Sequence, residues 1–230
     1  MPFSRREDAF GRAYRVVIAF YYVFCAAMTI VYAAKADVYH ALISAGTLIV
    51  PPALYMLHRL LKLRRSAQLD MLTLGFITLA YPLGGCIDLY RIIPGFDKLA
   101  HGLSGTYVAM LCIILFIQLK PGHKLSRADI PLAFAFVFFG STAVAGLWEV
   151  GEYLVSGIVK MDLQRVHATG VADSMNDMLI CLAGTLLALP AIPRLIRGKD
   201  GLLISPVRAF CERNAKGLCP LETRLRDSVP

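Results

Sequence analysis

Three pairs of polar residues stand at helical spacing inside otherwise apolar stretches of the chain. Members of each pair are three or four positions apart, so they share one face of a helix. The pairs are Asp97 with His101, Glu149 with Glu152, and Asp173 with Asp177. Carboxylate oxygens and one imidazole suit Mg²⁺, Mn²⁺, Fe²⁺ or Zn²⁺, and the same groups serve as general bases. The spacing therefore indicates either metal binding or proton transfer.

The elements that carry these pairs are long apolar runs. The chain is 57% hydrophobic and only 17% charged, with a mean hydropathy of +0.60. A helix of about 20 residues crosses the ~30 Å hydrocarbon core. Six runs have that length: Tyr14–Ala34, Val38–Leu57, Leu69–Tyr90, Leu99–Leu119, Ile130–Val155 and Val171–Ile192. They lack the period-2 alternation of strands. We therefore predict an all-α polytopic membrane helical bundle of about six transmembrane helices.

Two of these helices contain residues that disturb a helix. Pro51-Pro52 predicts a kink or a broken hydrogen-bond ladder in the second run, and Tyr81-Pro82-Leu83-Gly84-Gly85 predicts an interruption near the end of the third. Residues 1–193 are expected to form a single transmembrane helical domain. Residues 194–230 are expected to form a basic cytoplasmic tail, with a short helix on the membrane surface that begins at Ser205-Pro206.

The placement of positive charge predicts the orientation. If the helices alternate, 19 of the 24 Lys and Arg residues lie on one side of the membrane and five on the other. The positive-inside rule then places both termini in the cytoplasm. Anionic lipid explains such a basic inner surface without any nucleic acid. The three polar pairs, together with Asp88, fall at the opposite, outer side. The expected location is the bacterial cytoplasmic (inner) membrane, and the expected partner is the lipid bilayer.

A shared site at the outer ends would hold more acids than cations. Arg91, Lys98 and Arg165 are the available cations, whereas the acids number at least six. Ionisable groups in a membrane cost several kcal/mol unless they are paired, protonated or hydrated, so a divalent metal ion is the economical partner. The expected metal ligands are Asp97, His101, Glu149, Glu152, Asp173 and Asp177. One pair alone is typical of a solvated helix end, and it is the convergence of three pairs that favours a site.

Three classes of function fit this pattern. The first is a membrane-embedded hydrolase or transferase on a lipid-like or phosphate-containing substrate, with His101, Glu149 or Glu152 as catalytic residues. Arg91, Lys98 and Asp88 would then bind the substrate. The second is a cation- or proton-coupled transporter or ion-binding protein. The third is a structural or accessory membrane protein whose acids are ion-paired. Polar residues gathered at one leaflet favour an enzyme over a transport path.

The three polar segments carry a family resemblance. Phe96-Asp97-Lys98-x-x-His101, Glu149-x-x-Glu152 before an aromatic residue, and Asp173-Ser174-x-x-Asp177-Met178 resemble a bacterial family of inner-membrane proteins, the YjdF-like family. The Asp-Lys-x-x-His element is also similar to VanZ-like membrane proteins, which are linked to glycopeptide resistance. The resemblance covers roughly residues 70–190. The chain departs from the pattern at Met175, where a Gln is usual, and at Gly151, where a bulkier residue is common.

Overall fold

The computed structural model describes residues 3–123, 125–160, 162–164 and 166–214, and all regular secondary structure in these ranges is helical. The helices are α1 (Phe3–Ala34), α2 (Val38–Leu60), α3 (Ala67–Thr78), α4 (Leu89–Ile92), α5 (Phe96–Leu119), α6 (Ile130–Val159), α7 (Val166–Thr169), α8 (Ala172–Ala188), α9 (Ala191–Ile196) and α10 (Ile204–Asn214). The all-α fold predicted from the sequence is confirmed.

Six helical segments within the described ranges are long and apolar enough to cross a membrane. They are Glu7–Ala34, Val38–Leu60, Ala67–Cys86, Phe96–Leu119, Arg127–Val159 and Ala172–Ile196. The predicted number of spans is therefore confirmed, and each span overlaps its predicted run. Every span except the third is longer than its predicted run, and the first and fifth spans are extended the most.

The chain divides into two compact units, Met1–Ala100 and His101–Pro230. In the first unit, α1 packs with α2 and α3 around a core that includes Tyr21, Cys25 and Leu74. The hydroxyl of Tyr21 donates to the carbonyl oxygen of Thr47 at 2.8 Å. The division falls inside the continuous helix α5.

The two predicted disturbances in the first unit behave differently. Helix α2 continues through Pro51-Pro52 to Leu60, so the prolines do not end it. The predicted interruption after α3 is confirmed, because residues Leu79–Cys86 form a π-helix. The π-helix ends at Cys86, and the backbone carbonyl of Cys86 accepts a hydrogen bond from the hydroxyl of Tyr32.

The second unit contains the C-terminal part of the chain. Ser126 and Asp129 form a capping box ahead of α6, and Pro131 follows in the first turn of that helix. Helix α6 ends at Val159, and the next residue, Lys160, adopts the left-handed conformation with φ 57°. Helix α8 packs along α6 and is followed by the short helix α9.

The tail helix differs from the prediction in its surroundings. A helix is present at the predicted place, as α10, but its apolar side is buried rather than spread on a lipid surface. Val207, Phe210 and Cys211 are at most 3% exposed. Arg208 donates to Asp200 at 2.8 Å and fixes the start of α10 to the segment before it. The apolar stripe expected to meet lipid therefore packs within the protein. Residues 215–230 of the predicted tail, including Cys219, lie outside the described residues.

Candidate functional site

The first two turns of α5 carry the predicted ligands Asp97 and His101. Gly95 precedes the helix with φ 80°, a conformation that glycine adopts without strain, and the ring of Phe96 packs on Tyr90 at 5.4 Å between centroids. Asp97 follows in the first turn, where a carboxylate is favoured by the helix dipole. His101 lies one turn later on the same face.

Helix α8 supplies the facing carboxylates. It begins after Gly170, which turns the chain with φ 63°, and carries Asp173 in its first turn. Asp177 follows one turn later and is 4% exposed. Both aspartates lie on the buried side of α8, whereas Met175 between them is exposed. The four-residue spacing therefore places the acids on one face, as predicted.

Helices α5 and α8 cross with their backbones in contact. A Cβ on Gly105 would clash with the carbonyl of Cys181, and a Cβ on Gly184 would clash with the carbonyl of Gly102. The hydroxyl of Thr106 donates to the carbonyl of Gly184 at 3.0 Å across the same crossing. Small residues that let helix backbones approach closely are typical of packing inside membranes. This crossing holds the residues of the preceding turns close together.

The approach brings Asp97, His101 and Asp177 into one group. Each offers one ligand atom, and these atoms lie within 4.8 Å of one another. His101 Nε2 is 3.8 Å from Asp177 Oδ1. Metal bonds to oxygen and nitrogen of ~2.0–2.2 Å place ligand atoms roughly 3–3.5 Å apart, so these side chains would have to move closer together to hold an ion. It is the only such group of three or more His, Cys, Asp or Glu residues within the described ranges.

The other predicted ligands are not members of this three-residue group. Glu149 is buried on α6, and Gln164 Nε2 donates to both its carbonyl oxygen, at 3.0 Å, and its Oε2, at 3.2 Å. Glu152 is half-buried and accepts from Trp148 Nε1 at 2.9 Å. Asp173 is buried one turn before Asp177. The prediction that all six residues hold one ion therefore remains a prediction for Glu149, Glu152 and Asp173.

The predicted substrate-binding residues form two ion pairs. Lys98 Nζ lies 3.2 Å from Asp97 Oδ2, beside the three-residue group. Arg91 lies 3.3 Å from Asp88, with an exposed side chain, and Asp88 has a left-handed backbone with φ 67°. Arg165, the third predicted cation, lies outside the described residues.

The loop between α6 and α8 folds back on the end of α6. Ser156 Oγ accepts from the backbone of Leu163 at 3.2 Å, and Gln164 reaches Glu149. The Asp162 carboxylate accepts from the backbone amides of His167, at 2.9 Å, and Val166, at 2.8 Å. These hydrogen bonds, with His167 the largest contributor, lower the pKa of Asp162. Asp162 therefore caps α7 and anchors the loop that carries Gln164.

Sequence reasoning missed the residues that hold His101. Cys181 lies in an apolar run of the sequence, where it resembles a small core residue, yet its Sγ lies 3.7 Å from His101 Nδ1. Ser104 Oγ donates to the carbonyl of His101 at 2.7 Å and lies 3.3 Å from the same sulfur. The signal in the sequence is the four-residue step from Asp177 to Cys181, which puts the thiol on the acidic face of α8.

Residues 15–197 match the model of a protein family described as predicted membrane protein (DUF2238), and the chain belongs to that family. The match covers all six apolar spans in whole or in most of their length, so the chain is an integral, multi-pass membrane protein. No curated protein and no solved structure matches the chain. The likeness of the three polar segments to the YjdF-like and VanZ-like families stays a resemblance.

Proposed function

We propose that the protein is a membrane-embedded, metal-dependent hydrolase or transferase that acts at the outer surface of the bacterial cytoplasmic membrane. The observation that carries this proposal is the group formed by Asp97, His101 and Asp177, whose ligand atoms lie within 4.8 Å of one another. The resemblance of the same segments to the YjdF-like family supports the position of the site and implies no reaction.

The charges of the group favour a divalent ion. Two carboxylates and an imidazole converge at the ends of two apolar helices, and Asp177 is almost completely buried. Buried carboxylates repel each other strongly unless a cation lies between them. Lys98 contacts Asp97, and a divalent ion would add further positive charge to the group. Two oxygens and one nitrogen suit Mg²⁺, Mn²⁺, Fe²⁺ or Zn²⁺.

The number of ligands favours catalysis. Catalytic zinc sites keep three protein ligands and an open position for water or substrate, whereas structural sites are closed by four. An ion held by Asp97, His101 and Asp177 would keep such an opening, where it would activate water or polarise a phosphoryl oxygen. Lys98 lies beside the group and would bind an anionic part of a lipid-like substrate.

The contacts of His101, Glu149 and Glu152 favour a different role for each of these three predicted catalytic residues. His101 directs Nε2 towards Asp177, so its imidazole acts as a ligand and not as a free base. Glu149 is the best general base among the predicted residues, because its carboxylate is buried and oriented by Gln164. Glu152, bonded to Trp148, would line the site or stabilise α6.

The first experiment measures bound metal. Protein purified in detergent is equilibrated with Mn²⁺ or Zn²⁺, desalted, and analysed by mass spectrometry for metal per chain. We expect the wild type and an Asp162→Asn control to retain metal, and Asp177→Asn and His101→Gln to lose it. A metal-free wild type would refute the proposal and favour a structural protein with ion-paired acids.

The second experiment separates catalysis from metal binding. Metal-loaded protein is incubated with phosphate-containing lipids, and products are analysed by mass spectrometry. We expect Glu149→Gln to keep its metal and to lose turnover. Cation uptake into proteoliposomes without chemical change of any lipid would instead favour the transporter alternative.

A further inference from the structure

We propose that Cys181 is a positioning residue that turns the Nε2 atom of His101 towards the metal ion. The inference deepens the proposed function and rests on it. The sequence presents Cys181 as one of several cysteines in apolar runs. The structure places its sulfur on the opposite side of the His101 ring from Asp177.

The contacts hold the imidazole at both nitrogens. Asp177 Oδ1 faces Nε2 at 3.8 Å, and Cys181 Sγ faces Nδ1 at 3.7 Å. Asp177 and Cys181 are four residues apart on α8, so both can contact the imidazole ring of His101 from the same helix face. The close crossing of α5 and α8 fixes the distance between this face and His101.

The hydrogen-bond donors and acceptors around the sulfur are consistent with this role. Cys181 donates its S–H to the carbonyl of His101 at 3.2 Å, and Ser104 donates to that same carbonyl. The sulfur lone pairs then remain to accept a hydrogen bond. A neutral imidazole that binds a metal through Nε2 carries its proton on Nδ1, and that N–H needs an acceptor. Cys181 Sγ provides it.

The surroundings of Cys181 disfavour a nucleophilic role. The thiol is 5% exposed and lies where the backbones of α5 and α8 touch, at Gly105. A substrate would have to separate the two helices to reach the sulfur. Cys112, also a buried thiol, lies on α5 against Gly140 of α6, and it provides a matched control for the loss of a cysteine.

The decisive experiment measures Zn²⁺ affinity by competition with a chromophoric chelator. Partners of metal-bound histidines typically contribute 10–100-fold to affinity, so we expect Cys181→Ala to bind Zn²⁺ at least about tenfold more weakly. Cys181→Ser, whose hydroxyl also accepts from Nδ1, should recover most of the affinity. Cys112→Ala should bind as the wild type does.

A spectroscopic measurement on the wild type tests the contact between Cys181 and His101 directly. The S–H stretching band of Cys181 is assigned by its loss in Cys181→Ser. Zn²⁺ should shift this band, because Nδ1 becomes a committed donor to the sulfur, and should leave the Cys112 band in place.

The outcomes distinguish the two proposals. If the wild type binds Zn²⁺ but Cys181→Ala binds it equally well, or if the Cys181 band does not move, the positioning role is overturned and the metal site stands. If the wild type binds neither Zn²⁺ nor Mn²⁺, both proposals are overturned. If Cys181→Ala does not fold, the affinity of Cys181→Ser and the band shift decide the question.

Discussion

Nε2 of His101 lies 3.8 Å from Oδ1 of Asp177, although the two residues belong to different helices. The packing of two helices holds this pair together. It depends on the crossing just beyond, where Gly105 and Gly184 allow the backbones of α5 and α8 to touch. The geometry of the polar site therefore depends on glycines that have no chemistry of their own.

Substitution at this crossing should disturb both stability and the site. A Cβ on Gly184 meets the carbonyl of Gly102, which is backbone and cannot turn away. We expect Gly184→Ala to destabilise the protein by about 1–3 kcal/mol, the usual cost of overpacking, and to weaken metal binding. In the control Gly146→Ala, the new Cβ lies 3.7 Å from Met178, an ordinary contact. Thermal unfolding in detergent and metal retention measure both effects. Equal unfolding temperatures for the two variants would contradict the close crossing.

Helix periodicity explains which of the predicted site residues share a helix face. A four-residue step turns a helix about 40° past a full turn, so Asp97 and His101 face the same direction. A three-residue step falls about 60° short of a full turn, so Glu149 and Glu152 diverge. Glu149 points to the buried side of α6, and Glu152 turns towards Trp148 at the exposed side. The spacing of the glutamates alone did not indicate which of them is buried.

The sequence could not predict which small residues form the helix crossing. Gly102, Gly105 and Cys181 lie in apolar runs, and such residues look the same in sequence whether they face lipid or another helix. For the tail helix, the sequence predicted contact with lipid where the structure shows contact with protein. Val207 and Phe210 have the spacing of a lipid-bound helix, but the protein offers them an apolar surface of its own. Whether an apolar helix face meets lipid or another helix depends on the surface opposite it, and the hydropathy of the helix gives no information about that surface.

A buried carboxylate at the start of α1 should contribute to the stability of the first unit. Glu7 is 3% exposed and accepts from the amide of Ala67, at 3.0 Å, and from Ser66 Oγ, at 3.2 Å, at the beginning of α3. Glu7→Ala leaves these donors without the carboxylate, so we expect a loss of about 1–3 kcal/mol. Asp8→Asn changes the neighbouring, exposed acid and should be neutral. Thermal unfolding compares the two, and an equally stable Glu7→Ala would show that water or other groups replace the cap.

The predicted orientation can be tested at two exposed lysines. Lys62, in the loop between α2 and α3, is exposed, and so is Lys160, just after α6. Ser66 in the same loop as Lys62 is fully buried and therefore unsuitable for labelling. The positive-inside rule places Lys62 in the cytoplasm and Lys160 outside. A membrane-impermeant maleimide should therefore label Lys160→Cys in intact cells, and Lys62→Cys only after permeabilisation. The reverse pattern would place the polar site at the cytoplasmic surface.

The buried tail helix should make stability depend on pH through Cys211. Burial raises the pKa of this thiol from 9.0 to about 12. Below pH 9 the thiol is protonated in both the folded and the unfolded protein, so the contribution of α10 is complete. As the pH rises towards 12, only the unfolded state ionises, so the free energy of unfolding falls. We expect Cys211→Ala to be less stable at pH 7 and to lose less stability between pH 9 and 11.

The burial of Cys211 can also be tested by labelling. In a Cys219→Ser background, a maleimide at pH 7.5 should spare Cys211 and label Glu212→Cys, because position 212 is exposed. Rapid native labelling of Cys211 would instead place α10 on the membrane surface, as the sequence alone suggested.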